Sequence, residues 1–275
     1  MKLPKYLTLN KEIGETPLGV LDDFKAANHT YAAVPMSYAG RLDPLASGKL
    51  LVLVGEECKK QKNYMGLDKE YVFEALLGMQ TDTGDVLGMA TLGEERPAAA
   101  PTAEKISSAL KKLSGKRTIP YPPFSSKTVN GKPLFKYALE GAIDTITLPT
   151  KDVEIFSIEH IGTQALSTED LFFQMSQKIE SIKPVTEHTK ALGNDFRRPD
   201  IRVRYKELQE VAARENKEFY VLKFRCICSS GTYMRTLAQD IARELGTVGL
   251  AFSIHRTKVG RFKKLGVFKF WSKLY

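Results

Sequence analysis

One segment of the sequence has residue types and spacing that are suited to catalysis: an aspartate followed directly by a proline, with a glycine on each side of the pair. Residues 38–48 read Tyr-Ala-Gly-Arg-Leu-Asp-Pro-Leu-Ala-Ser-Gly, and an aliphatic run follows at 50–54. Pro44 disfavours the helical region for the residue before it, so we expect Asp43 to be extended in a loop. A carboxylate on a rigid loop can act as a nucleophile or a general base. An isolated Asp-Pro pair, however, more often caps a turn.

Length and composition limit the classes of protein to consider. The chain has 275 residues, of which 43% are hydrophobic and 27% are charged, as is typical of folded globular proteins. Its longest aliphatic run is far shorter than a membrane span, and the N-terminus lacks an apolar signal-peptide core. We therefore expect a cytoplasmic protein with no membrane contact. Three cysteines and four histidines are too few for a disulfide framework or a histidine-rich metal site.

Positive charge is concentrated in the C-terminal third of the chain. Residues 196–275 contain 18 basic and 7 acidic side chains, whereas residues 1–195 contain 23 and 25. A basic region on a nearly neutral body indicates an anionic partner, and nucleic acid is the commonest one. A solubilising surface is the alternative interpretation.

Short strands alternating with helices predict a mixed α+β domain. The apolar patterns indicate strands at 3–9, 50–54, 71–77, 152–161 and 219–228, and helices at 17–27, at 102–113 and from 232. Thr16 and Pro17 have the order of a helix cap and a first helical residue. Residues 176–216 are charged and show little periodicity, which indicates a polar insertion rather than a core element.

The segment around Asp43 resembles the signature of the TruB family, tRNA pseudouridine synthases that act on the T-loop uridine at tRNA position 55. An Arg-Leu-Asp core is shared by the broader superfamily. The proline directly after the aspartate, and the small residue, Ser and Gly that follow, indicate the TruB branch of this superfamily. Five further blocks resemble the family in its order, at residues 7–16, 69–88, 122–138, 229–236 and 254–257.

The resemblance also implies the fold and the extent of the domain. We expect a mainly antiparallel central sheet with flanking helices, forming one pseudouridine synthase domain over 1–275. An RNA-gripping loop is expected at about 120–147. The chain ends soon after the fifth block, so no C-terminal PUA domain is expected. The departures from the family pattern are Glu12 in place of Pro, Tyr38 in place of His, Leu139 in place of Arg, and the insertion at 176–216.

Three residues receive catalytic roles from the resemblance. Asp43 is the nucleophile, Arg235 pairs with this carboxylate and orients it, and Tyr71 stacks on the base and assists proton transfer. Isomerising uridine breaks a C–N glycosidic bond and forms a C–C bond without redox chemistry or net hydrolysis. We therefore expect neither a cofactor nor a metal. Which atom Asp43 attacks stays open.

The tRNA T-arm is the expected partner, and no obligate protein partner is evident. Reaching a T-loop uridine requires flipping it out of the stack. Tyr38 could stack in the vacated space, and Ile254 matches an aliphatic residue behind the target base. The other expected substrate-binding residues are Arg41, Lys127, Lys132 and Arg256, with electrostatic capture shared by Lys258, Arg261, Lys263 and Lys264.

Three other functions remain open on the sequence alone. A related synthase acting on ribosomal RNA would share the core motif. A non-catalytic RNA-folding or RNA-binding protein would not need Asp43, Tyr71 and Arg235 together. An N-glycoside hydrolase would need a second carboxylate opposite the first, for which Asp82 and Asp85 are the candidates.

Overall fold

The computed structural model describes residues 3–182, 194–215, 218–265 and 268–275. The strands within these ranges are β1 (Tyr6–Lys11), β2 (Met36–Tyr38), β3 (Ala46–Val54), β4 (Asp68–Leu77), β5 (Met79–Thr81), β6 (Ala90–Leu92), β7 (Gly115–Pro120), β8 (Thr128–Val129), β9 (Lys132–Pro133), β10 (Thr150–Leu166), β11 (Phe219–Cys228), β12 (Gly249–Leu265) and β13 (Phe268–Leu274). The helices are α1 (Pro17–Ala27), α2 (Gln61–Met65), α3 (Ala103–Leu113), α4 (Leu134–Leu139), α5 (Thr168–Glu180), α6 (Arg198–Glu215) and α7 (Met234–Glu244).

One large sheet organises the described part of the chain. Its order is β1-β3-β12-β4-β11-β10-β7, with β2 paired to β3 and β13 paired to β12. Neighbouring strands run antiparallel, except that β12 is parallel to β3. This mainly antiparallel sheet with flanking helices confirms the predicted α+β class.

Local signals place several elements where the sequence predicts them. The Thr16 hydroxyl accepts a hydrogen bond from the Gly19 N–H and Pro17 is the first residue of α1, so this helix begins at its predicted cap. Thr102 caps α3 in the same way. The predicted apolar stripe of α3 is buried, and it consists of Ile106, Ala109, Leu110 and Leu113.

Each face of the sheet carries a layer of helices. α3 and α7 pack on the face that bears Tyr71, Phe73 and Phe224. α5 and α6 pack on the opposite face, against Leu76 and Val221. Successive residues of a strand point to opposite faces, so β4 and β11 contribute side chains to both layers. Among the described residues, no helix has the length and apolar character that crossing a membrane requires.

The interpretation of 176–216 as lying outside the core is wrong. α5 continues to Glu180, and α6 buries a stripe spaced by three or four residues. The rest of the α6 surface is mostly charged, although Val203 and Val211 are also exposed, so the narrow stripe contributes little to the average hydropathy of the segment. Residues 183–193 and 216 of the predicted insertion lie outside the described residues. The buried stripe of α6 is Ile201, Tyr205, Leu208 and Ala212.

Candidate active site

The loop between β2 and β3 carries Asp43 and folds tightly against β12. Gly48 has a φ of +104°, and a Cβ at this position would lie 2.3 Å from the carbonyl oxygen of Arg256. Glycine is therefore required where the loop enters its parallel pairing with β12. The Asp43 carbonyl accepts a hydrogen bond from the Ala46 N–H at 3.0 Å, which closes the turn. The side chain of Asp43 is 40% exposed and is thus open to a substrate.

Arg235, near the start of α7, reaches Asp43 across 192 residues of sequence. Its Nε donates to Asp43 Oδ2 at 2.8 Å. Its Nη1 donates to the Thr83 carbonyl at 2.6 Å and its Nη2 to the Phe124 carbonyl at 2.9 Å. The side chain is almost completely buried. Acceptors on three sides determine the direction of the guanidinium, so it can hold the carboxylate of Asp43 in one orientation.

Asp85 is a second carboxylate beside the same guanidinium. Its Oδ2 lies 3.8 Å from Arg235 Nε, and its Oδ1 accepts hydrogen bonds from the Thr83 hydroxyl and the Leu87 N–H. Burial raises the pKa of Asp85 although Arg235 opposes this shift. Burial lowers the pKa of Arg235, but Asp43 and Asp85 outweigh it and raise this pKa above the ordinary value. Sequence reasoning considered Asp85 only as a hydrolase carboxylate.

Tyr71 forms part of the apolar floor of the site. It lies on β4 in register with Cys226 on β11 and Arg256 on β12. Burial raises the pKa of Tyr71, so its phenol is protonated at neutral pH. Its neighbours in the buried cluster include Leu42, Ala46 and Ile254. The structure therefore brings Tyr71 and Ile254 to the same side of the sheet as the loop that carries Asp43.

Arg256, one of the expected substrate-binding residues, is only 1% exposed. Its Nε donates to the Lys49 carbonyl at 2.7 Å. Its Nη2 and Nη1 donate to the carbonyls of Gly40 and Arg41 at 3.2 and 3.3 Å. Arg256 thus binds the backbone on both sides of Asp43 and anchors the loop.

Two buried lysines, which sequence reasoning missed, also bind backbone near this loop. Lys11 Nζ donates to the carbonyls of Pro44 and Ala46 at 3.1 and 2.6 Å. Lys69 Nζ donates to the carbonyl of Leu67. Burial lowers the pKa of each lysine to about 8. Each lysine lies in a block that resembles the family, which is the signal that could have identified it.

The other expected substrate-binding residues differ in exposure and in the partners that they contact. Tyr38 is half-buried at the end of β2, and Arg41 is exposed two residues before Asp43. Lys127 is exposed three residues after Phe124, on the loop whose backbone contacts Arg235. Lys132 forms an ion pair with Glu140 on that loop. A phosphate would therefore have to compete with Glu140 for Lys132.

Comparisons with known proteins identify the family. Residues 29–181 match the family described as TruB family pseudouridylate synthase (N terminal domain). A tRNA pseudouridine synthase B from Borreliella afzelii is 29% identical over 258 residues, covering 94% of this chain and 70% of the relative. The protein of that name from Hydrogenovibrio crunogenus is 27% identical over 261 residues, covering 94% and 65%.

A solved structure shows the same fold. A chain in the crystal structure of a Cbf5-Nop10-Gar1 complex superposes with a TM-score of 0.52 at 16% identity, covering 93% of this chain and 48% of that chain. The chain thus spans about two thirds of the curated relatives and about half of the solved chain. The family match extends over more than half of the sequence. This chain belongs to the TruB family of pseudouridylate synthases, a family of isomerases.

Proposed function

We propose that this protein isomerises a T-loop uridine of tRNA to pseudouridine, with Asp43 as the nucleophile. The observation that carries the proposal is the partly exposed Asp43 carboxylate, 2.8 Å from a buried guanidinium that is held on its other two sides. Family membership and the name tRNA pseudouridine synthase B of the relatives support the substrate class.

The contacts divide the chemistry among three side chains. Arg235 donates to Oδ2 of Asp43, which orients the carboxylate and leaves Oδ1 to attack the ribose or the base. The glycosidic C–N bond breaks, the base turns over, and a ring carbon bonds to the ribose as the bond to Asp43 breaks and releases the carboxylate. That carbon then loses its proton, and the ring nitrogen freed from the ribose gains one. The raised pKa of Tyr71 favours stacking and hydrogen bonding over action as a phenolate base.

Binding has to offset the cost of extruding the uridine, which is on the order of a few kcal/mol. The basic residues of β12 and β13 and the lysines at 120–147 supply attraction to phosphates. Arg41 lies beside Asp43 and is exposed, so it is placed to contact the backbone of the flipped nucleotide. Tyr38 and Ile254 supply an aromatic and an aliphatic surface for bases.

The test is conversion of an unmodified tRNA transcript by the purified chain without added metal. One T-loop uridine should become pseudouridine. Asp43→Asn keeps the shape of the side chain but removes the nucleophile, so turnover should be abolished while RNA affinity stays within a few-fold. Asp22→Asn, at an exposed position on α1, is the matched control and should behave as the wild type.

Each alternative function predicts a different result in this assay. Normal turnover by Asp43→Asn would refute the nucleophile assignment. Binding by the wild type without conversion would indicate an RNA-binding protein, and free uracil among the products would indicate a hydrolase. Conversion of a ribosomal RNA fragment in place of the tRNA would indicate the related rRNA synthase.

A further inference from the structure

The segment 197–205 binds one side of the loop formed by residues 81–90. Its bonds come from three different side chains, two of them cationic. Arg197 donates to both carboxylate oxygens of Asp82 at 2.7 and 3.2 Å, Arg204 to the Ala90 carbonyl at 2.8 Å, and Tyr205 to the Val86 carbonyl at 2.9 Å. The charged segment thus has a specific docking partner within the protein.

The loop at 81–90 is also one of the two segments that hold Arg235. The Thr83 carbonyl accepts from Arg235 Nη1, directly after Asp82 in the chain. The second segment contributes the Phe124 carbonyl, which accepts from Arg235 Nη2. The guanidinium of Arg197 lies 4.8 Å from the centroid of the Phe124 ring, within cation–π distance. Arg197 therefore contacts both segments whose carbonyls hold the guanidinium of Arg235.

The backbone at Arg197 is held in an unusual conformation. Asp195, Phe196 and Arg197 have φ values of 52°, 55° and 59°. Left-handed backbone costs roughly 1–2 kcal/mol for each residue that is not glycine, so packing has to retain this turn. The Phe196 ring is buried and Asp195 pairs with Arg198. These contacts keep the turn that aims Arg197 at Asp82.

We propose that Arg197 is a positioning residue for Arg235, and through it for the nucleophile Asp43. The planar guanidinium of Arg197 donates to both carboxylate oxygens of Asp82, and its face lies over the Phe124 ring. Arg197 therefore links the two segments to each other. This inference rests on the proposed function, because Arg235 matters to the rate only if Asp43 reacts.

Arg197→Gln tests the inference, with Arg202→Gln as the matched control. Arg202, five residues further along the chain on α6, forms a comparable two-pronged pair with Glu180 at 2.6 and 2.8 Å, in an exposed position. For Arg197→Gln we expect the single-turnover rate at saturating tRNA to fall roughly tenfold, with the tRNA Kd within two-fold. Arg202→Gln should leave both unchanged. Arg197→Lys keeps the positive charge but loses the paired donors of the guanidinium, so its rate should lie between those of Arg197→Gln and the wild type.

A double-mutant cycle tests the route through Asp82. The Asp82→Asn and Arg197→Gln double variant should be no slower than Arg197→Gln alone, because both changes remove the same interaction. The inference is overturned if Arg197→Gln has the wild-type rate, or if its Kd rises while the rate is unchanged, which would make Arg197 an RNA ligand. Thermal destabilisation with an unchanged rate would also overturn it.

Hydrogen exchange provides a readout that does not require turnover. Peptides covering 81–90 and 122–126 should exchange faster in Arg197→Gln than in the wild type, and not in Arg202→Gln. If the wild type made no pseudouridine, the proposed function would fail while this measurement still reported whether Arg197 braces the loops. Unchanged exchange in both peptides would refute the bracing itself.

Discussion

Replacing Arg256 by lysine separates the two roles that this residue could have. The guanidinium donates to the carbonyls of Lys49, Gly40 and Arg41. A lysine ammonium can satisfy only part of this set, so about two charge-assisted hydrogen bonds are lost at about 1.5 kcal/mol each. The resulting loss of about 3 kcal/mol corresponds to a fall in Tm of roughly 6–12 °C for a chain of this size. The rate at saturating tRNA should fall roughly tenfold, because the backbone on both sides of Asp43 is released.

The assays are thermal unfolding, single-turnover kinetics and tRNA titration over a series of salt concentrations. Loop anchoring predicts lower Tm and rate with an unchanged slope of log Kd against log salt. Phosphate binding predicts the opposite, an unchanged Tm and rate with a nearly unchanged Kd and slope, because lysine keeps the positive charge that a phosphate requires. Arg261→Lys, at an exposed position on the same strand, controls for the substitution itself. An unchanged Tm and an unchanged rate for Arg256→Lys would refute the anchoring role.

Two further predictions concern the same loop. The pKa of Lys69 is lowered from 10.5 to about 8, so between these values the unfolded chain binds more protons and stability rises with pH. In urea unfolding, the wild type should therefore gain up to about 2 kcal/mol over Lys69→Met between pH 8 and pH 9.5, and parallel curves would contradict this. Gly48→Ala should lower the free energy of unfolding by at least about 3 kcal/mol, since its Cβ meets the Arg256 carbonyl. Gly55→Ala, with open space around it, should cost only about 1 kcal/mol, and equal losses of Tm would contradict the steric argument.

Elements with a local signal could be predicted from the sequence. α1 begins at its threonine cap and proline, and β11 has the predicted bounds of 219–228. The apolar stripe of α3 gives its buried face directly. In these elements, capping and periodicity within about ten residues agree with the tertiary packing, so no distant contact was needed to identify them.

Two long elements could not be predicted in this way. β12 runs over 17 residues, yet its basic side chains read as a solvated surface. α6 has a narrow buried stripe within a charged segment. Both elements contain polar side chains that donate hydrogen bonds to other segments of the chain. These polar residues interrupt the apolar pattern, so the sequence signal for each element is weak. Arg204 and Tyr205 of α6, for example, donate to carbonyls of the loop at 81–90.

The residue types at the site, the extended backbone before Pro44 and the glycines that permit close approach follow from the sequence alone. The meeting of Asp43 with Arg235, and the burial of Lys11, Lys69 and Arg256, were decided by the tertiary structure. A cation is stable inside a protein only when acceptors surround it. Here those acceptors are largely backbone carbonyls, many of them from distant parts of the chain. Every residue type has a backbone carbonyl, so the sequence does not show which carbonyls will surround a given cation. Only the tertiary structure therefore determines whether a basic residue faces RNA or anchors a loop.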